Sequence, residues 1–260
     1  MSKKAPTSRH LDDFSAELEH AGDRRDLIHR IELMPRRLAA LGFDAKDMEI
    51  IEITGRAAKK NFAQRFSTAI AQKIADHLRP DYPDIAPDER GGGHESLSAG
   101  AAGVKRIDVN YSTKRSGLEL AISVKTMNFK DEVTGRYTKN TKRVDGELRA
   151  EAQESHDRQP HAVLAAYFFV PEDSAHDAPG GKSSLWHNAD VFSRRAGRVR
   201  TNDDFNRFEH VFIGVYDDEG RARFFDVLDD VPNSGLPTRT VTFSESLRVI
   251  RASHKTRNKR

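Results

Sequence analysis

The sequence predicts an α/β fold of the α+β kind, a mixed sheet flanked by helices and preceded by an N-terminal helical region. Three observations carry this expectation. Phe62, Phe66, Ile70 and Ile74 recur at helical spacing. From Val104 onward the apolar residues recur at nearly every second position. His161 to Val170 is an unbroken apolar run ended by Pro171, the pattern of a strand buried on both faces.

Residues 1–10 are polar and basic and are expected to lack order. Leu11 to Leu41 reads as one or two helices, with Asp23 an N-cap before Leu27, Ile28, Ile31, Leu33 and Leu38. Pro35 starts, ends or kinks a helix there, and Gly42 is a C-cap. The strongest helix spans Ala57 to Leu78, with Ala63 and Ala71 beside its apolar stripe. Arg79 to Pro87, with three prolines, and then Gly91-Gly92-Gly93 are poor continuations of regular structure.

A hairpin follows, with Val104, Ile107, Val109 and Tyr111 in one strand and Leu118, Leu120, Ile122 and Val124 in the next, turning across Ser112 to Gly117. Val144 to His156 has helix-forming composition, and the 161–170 strand comes after it. Beyond the loop 172–183, a short helix is expected around Trp186, from Ser184 to Arg195. A second hairpin joins His210–Tyr216 to Arg221–Leu228, and Val241 to Ile250 forms one more strand or a short helix. The chain thus divides into an N-terminal helical region (1–90), a core (91–171) and a C-terminal helix and β-hairpin extension packing on that core (172–260).

Composition narrows the function. No stretch approaches the roughly 18 apolar residues of a membrane span, and MSKKAPTSRH lacks the apolar segment of a secretory signal, so a cytoplasmic protein with no membrane partner is expected. The absence of cysteine excludes disulfides, iron–sulfur clusters, thiolate zinc sites and a thiol nucleophile. No HExxH, Walker A or GxSxG motif occurs. The net charge of +3 says little by itself, but the basic residues cluster. Lys125, Lys130, Arg136, Lys139, Lys142 and Arg143 lie close together, Arg194, Arg195, Arg198 and Arg200 form a second group, and the tail His254–Arg260 is also basic. Sharing a face, they would neutralise phosphates. The loop Thr126–Lys142 adds Asn128, Phe129, Tyr137, Thr138 and Asn140 as further nucleic-acid contacts.

Along Leu118–Lys125, Glu119, Ala121, Ser123 and Lys125 share a face by strand alternation. A turn centred near Lys114 and Arg115 puts Asp108 opposite Ala121 and diagonal to Ser123, on that same face. Carboxylates and a lysine at a sheet rim are what metal-assisted phosphodiester hydrolysis requires. The acids hold Mg²⁺, and the lysine positions water and stabilises developing negative charge.

Asp108 in Arg106-Ile107-Asp108-Val109, the strand ending Ser123-Val124-Lys125, the helix after it and the buried strand 161–170 together resemble the PD-(D/E)XK nuclease superfamily, of the type II restriction endonuclease kind. The resemblance covers about Ala57 to Val170 and implies a restriction-endonuclease-like mixed sheet with 91–171 as its catalytic core. Two positions depart from the pattern: Ile107 stands where the family often has proline, and Ser123 where it has an acid. A Ser-x-Lys form is similar to a subgroup, several of whose members cut CCGG-containing sites, in which a glutamate of the following helix supplies the acid. Glu147, Glu151 and Glu154 form one stripe there. Glu147 is the first choice and Glu151 the second, with Glu119 and Glu95 as rivals.

The resemblance therefore implies a Mg²⁺-dependent DNA endonuclease. Asp108, Lys125 and Glu147 would be catalytic, Asp108, Glu147 and Glu151 metal ligands, and Lys130, Arg136, Lys139, Lys142, Arg143, Arg194, Arg195 and Arg198 DNA contacts. The partners implied are double-stranded DNA, a second copy in a homodimer, and a cognate methyltransferase acting on the same site. The alternative is a non-catalytic DNA-binding protein on a nuclease-like fold, with Ser123 marking a lost site. RNA as the substrate is disfavoured by the lack of an aromatic platform.

Overall fold

The computed structural model describes residues 11–33, 40, 45–93, 96–100 and 103–258. The order of residues 1–10, the roles given to Pro35 and Gly42, the rival acid Glu95 and the last two residues lie outside the described residues. In chain order the elements are β1 (Asp12–Asp13), α1 (Ser15–Ala21), α2 (Arg24–Ile28) with a π turn (His29–Leu33), α3 (Ala45–Leu78), β2 (Ser96–Gly100), β3 (Gly103–Ile107), β4 (Val109–Thr113) and β5 (Gly117–Thr126). They continue with α4 (Thr141–Arg158), β6 (Val163–Pro171), a 3₁₀ turn (Glu172–Ala175), α5 (Ser184–Ser193), β7 (His210–Tyr216), β8 (Arg221–Asp226) and α6 (Phe243–Arg257).

Six strands form one mixed sheet in the order β1-β8-β7-β6-β5-β4. The central strands β5, β6 and β7 run parallel, and β4, β8 and β1 pair antiparallel with their neighbours. β6 is buried along its whole length, as its unbroken apolar sequence requires. Its alternate residues serve two cores. Val163, Ala165, Tyr167 and Phe169 face α3, α1 and α6, while Leu164, Ala166, Phe168 and Val170 face α4 and α5.

The apolar stripe of α3 is the floor of the first core. Phe62, Phe66, Ile70 and Ile74 are fully or almost fully buried, and the Phe66 ring sits 6.0 Å from Phe169 and 5.1 Å from Tyr216. Gly214 in β7 is a place where nothing larger fits, because a Cβ there would stand 2.8 Å from the Phe224 ring and 3.0 Å from that of Phe169. The second core is built by Val144, Leu148 and Ala152 of α4 with Leu185, Ala189 and Phe192 of α5. Asp23 caps α2 by accepting from the Asp26 amide, as expected.

Three expectations change, and one that was open between two alternatives is decided. The single strand expected over 104–111 is divided at Asp108: β3 pairs only with β2 in a separate two-stranded ribbon, and β4 alone joins the main sheet. β7 and β8 are strands of the main sheet itself rather than an extension lying on it. Of the strand or short helix expected over 241–250, the helix is what forms, over Phe243–Arg257, where Thr242 and Glu245 make a reciprocal capping box. Lastly, a bulge between Tyr111 and Ser112 sets Glu119 and Leu120 together against Tyr111, so the alternation assumed for β5 breaks there. Leu120 lies in the first core and Leu118 in the second. Glu119 accordingly leaves the Ser123 face and pairs with His254 of α6 at 3.2 Å.

The C-terminal part is fastened by buried charge. Glu209 accepts from Arg198 and from Arg257, both at 2.7 Å, and from the Leu164 amide at 2.7 Å, and His156 stands 3.6 Å away. Burial alone would raise the Glu209 pKa, but His156, the amide and Arg257 outweigh it and hold the carboxyl below its ordinary range. Burial pushes His210 below the ordinary histidine value, as it does His254, in each case against the partial opposition of a glutamate.

Truncating Phe66 to alanine is expected to cost about 3–5 kcal/mol, read from chemical unfolding followed by the single tryptophan, Trp186. Stability is also expected to fall on acidification. Two histidines with lowered pKa values contribute fully above about pH 6.5 and lose that contribution as pH falls below it; Glu209 does the same below about pH 4.3. A melting temperature that rises between pH 7 and pH 5 would contradict this sign.

Candidate active site

Asp108, Ser123, Lys125 and two glutamates of α4 come together at the end of β5. The last paired residues of β4 and β5 are Val109 and Ile122, so Asp108 stands one step beyond, beside Ser123. The turn expectation had put Asp108 opposite Ala121, where Asn110 stands instead. The difference is two residues, an even slip that keeps the face. The β4 ladder stops at Asp108, and its carboxylate accepts the Val124 amide at 2.7 Å, taking over a hydrogen bond at the point where the chain bends from β3 into β4.

Glu151 makes the closest contacts. Its Oε2 accepts a hydrogen bond from the Ser123 hydroxyl, and its Oε1 accepts from Lys125 Nζ at 2.8 Å. Glu147 Oε2 lies 3.7 Å from the same ammonium and is also paired with Arg143. The order of preference between the two glutamates is thus reversed. Helical geometry gives the reason. Taking Val144, Leu148 and Ala152 as the buried stripe, Glu151 lies about 60° from its centre and Glu147 about 100°. Only the nearer one comes within hydrogen-bond distance of Ser123 and Lys125.

Burial pulls the Lys125 pKa down, but Glu151, by charge and hydrogen bond, together with Asp108 and Glu147, raises it above the ordinary lysine value. The ammonium form is therefore held at neutral pH. Among the described residues no three acidic or histidine side chains surround one point in the manner of metal ligands; these acids surround Lys125 instead. Their chemistry nevertheless fits a hard divalent cation, since every donor is a carboxylate oxygen.

The basic residues are less uniform than the sequence suggests. Arg198 is corrected outright: its side chain is wholly buried against Glu209, and it donates to the Pro160 and Thr201 carbonyls, so no phosphate reaches it. Arg195 is largely buried and holds Asp145 of α4 through two hydrogen bonds of 2.6 and 3.1 Å. Arg136 donates to the Lys182 carbonyl near the buried Asp177. Lys130 pairs with Asp173, Lys139 with Asp131 and Arg194 with Asp190, each with its cation still open to solvent. Arg143 is exposed, and Lys142 is exposed without an ion pair among the described residues.

The loop between β5 and α4 is not a free arm. Asn128 is buried, taking hydrogen bonds from Tyr216 and Arg24, and Phe129 packs 5.4 Å from Phe62. Tyr137 is buried between Arg24 and Asp173. None of the three is placed to read a base. Sequence reasoning also missed the Ser123 hydroxyl, which it treated as the lack of an acid; no sequence signal distinguishes a serine that holds a carboxylate from one that replaces it.

No protein-family model matches the chain, and no curated protein or solved structure is significantly similar to it.

Replacing Arg198 by alanine leaves a buried carboxylate short of a partner and is expected to cost about 3–5 kcal/mol. Lys142→Ala, on an exposed surface, is expected to stay within about 0.5 kcal/mol of wild type. Equal melting temperatures for the two variants would refute the distinction between buried and surface cations.

Proposed function

We propose that the chain is a Mg²⁺-dependent DNA endonuclease on a restriction-endonuclease-like fold, with Asp108, Glu151 and Lys125 as its catalytic set. The observation that carries the reading is the convergence of Asp108 from the β3–β4 bend, Lys125 from β5 and Glu151 from α4. The element order supports it: a long helix, a hairpin whose second strand carries the lysine, a crossover helix and a parallel buried strand. The binding-only alternative takes Ser123 as a lost acid, whereas here a carboxylate stands at that point, delivered by the helix.

Asp108 and Glu151, with Glu147 behind them, would hold the metal. Mg²⁺, when bound, neutralises phosphate charge and acidifies a water molecule. Lys125, which donates to Glu151 in the metal-free site, would donate to that water or to a phosphate oxygen and stabilise the negative charge that develops there. Lys142 and Arg143 at the start of α4 are exposed cations on the helix that carries Glu151, suited to the flanking phosphates of a duplex. A homodimer suits cleavage of both strands of a two-fold-symmetric site, and a methyltransferase protecting that site completes the proposal.

Purified protein incubated with supercoiled plasmid is expected to cut in Mg²⁺ and not in EDTA, with Lys125→Ala at least about a hundredfold slower. DNA left intact in Mg²⁺ but retarded in gels in a salt-sensitive way would replace this reading with the binding-only one.

A further inference from the structure

We infer that Ser123 is a positioning residue for Glu151, a fixed hydroxyl that orients the helix-borne carboxylate for metal binding and for contact with Lys125. The inference rests on the nuclease reading and adds a residue to it. Ser123 is almost completely buried in β5, whose pairing with β6 continues on either side of it, so its backbone has little freedom. Its hydroxyl donates to Glu151 Oε2. That leaves Oε1 directed at Lys125 Nζ, 2.8 Å away.

A glutamate on a helix has three side-chain torsions to fix, and nothing on its own helix fixes them. Immobilising such a chain costs rotamer freedom. A hydrogen bond to an ionised carboxylate from a donor on a rigid strand supplies the direction that the helix lacks. The surroundings are shaped for this. Ala166, the partner of Ser123 on β6, is buried, and so are Ala121 two positions before Ser123 and Ala152 next to Glu151. These small side chains let α4 lie close over the sheet at the point where its carboxylate descends. An acid at position 123 would face Glu151 across that narrow gap with like charge, whereas serine offers the one group, a small donor, that a carboxylate there accepts.

The test compares wild type with Ser123→Ala, Ser123→Cys and Ser123→Thr. Cysteine keeps the shape and loses the strong donor; threonine keeps the hydroxyl. Mn²⁺ binding is measured by calorimetry, duplex binding in EDTA by gel shift, and the Mg²⁺ concentration for half-maximal plasmid cleavage is determined alongside. The alanine and cysteine variants are expected to lose on the order of ten- to a hundredfold in Mn²⁺ affinity and to need correspondingly more Mg²⁺. Metal-free duplex binding should be unchanged, and threonine should restore the metal affinity to within a few-fold of wild type. Folding of each variant is read from its melting temperature, and the cysteine variant decides if alanine disturbs packing. Wild-type Mn²⁺ affinity in Ser123→Cys, or a threonine variant as defective as alanine, overturns the positioning role and leaves the nuclease reading intact. A wild type that neither binds Mn²⁺ nor cuts DNA overturns both.

Discussion

A carboxylate carried on a helix reaches a lysine carried on a strand only if the two layers are held in fixed register, and the Glu151–Lys125 contact depends on that constraint. The sequence around it serves the same end. Alanines 121, 152 and 166 thin the interface between α4 and the sheet. Thr141 at the start of α4 is tied to Asn188 of α5, Asp145 to Arg195, and His156 near the end of the helix contacts the Phe205 carbonyl and stands close to Glu209. A helix pinned in its first two turns and near its end holds Glu151 in place, at the cost of arginines that the linear sequence offers as DNA contacts.

Charge is accordingly divided between two tasks. Arg198, Arg195 and Arg24 are interior fasteners: Arg24 links α2 to Asn128, Tyr137 and Asp218, and so binds the β5–α4 loop to the body of the protein. Lys142, Arg143, Arg194, Lys130 and Lys139 remain on the surface. A buried arginine that loses its carboxylate leaves an uncompensated charge, whereas a surface cation is screened and exchangeable. Arginines that are wholly or largely withdrawn from solvent, such as Arg198 and Arg195, cannot also exchange with phosphate counterions.

Much of this was legible in the sequence, for identifiable reasons. The α3 stripe and the β6 run follow from periodicities that no local exception disturbs. Asp108 and Lys125 share a face because two one-residue errors add to an even shift: the turn lies one residue from where it was assumed, and the bulge at Tyr111/Ser112 adds one more. Glu119 was misplaced because one inserted bulge residue reverses alternation and leaves no mark in the apolar pattern. The helix α6 had a signal, Thr242 and Glu245 at capping-box spacing, which the ambiguous apolar run 241–250 obscured. The choice between Glu147 and Glu151 was open in the sequence because both lie on the acidic stripe; their angular distance from Val144, Leu148 and Ala152 separates them once those three are known to be the buried face. The burial of Arg198 had no local signal, since its partner Glu209 is met only in the folded chain.

The central claim, that Asp108 and Glu151 are the metal-binding acids of one site, is tested most directly by anomalous scattering from Mn²⁺ in crystals of the protein grown with duplex DNA. The account predicts a peak within bonding distance of carboxylate oxygens of both residues, with Lys125 Nζ moved from Glu151 toward the phosphate. Manganese bound elsewhere, with Lys125 still paired to Glu151 beside a bound phosphate, would contradict it.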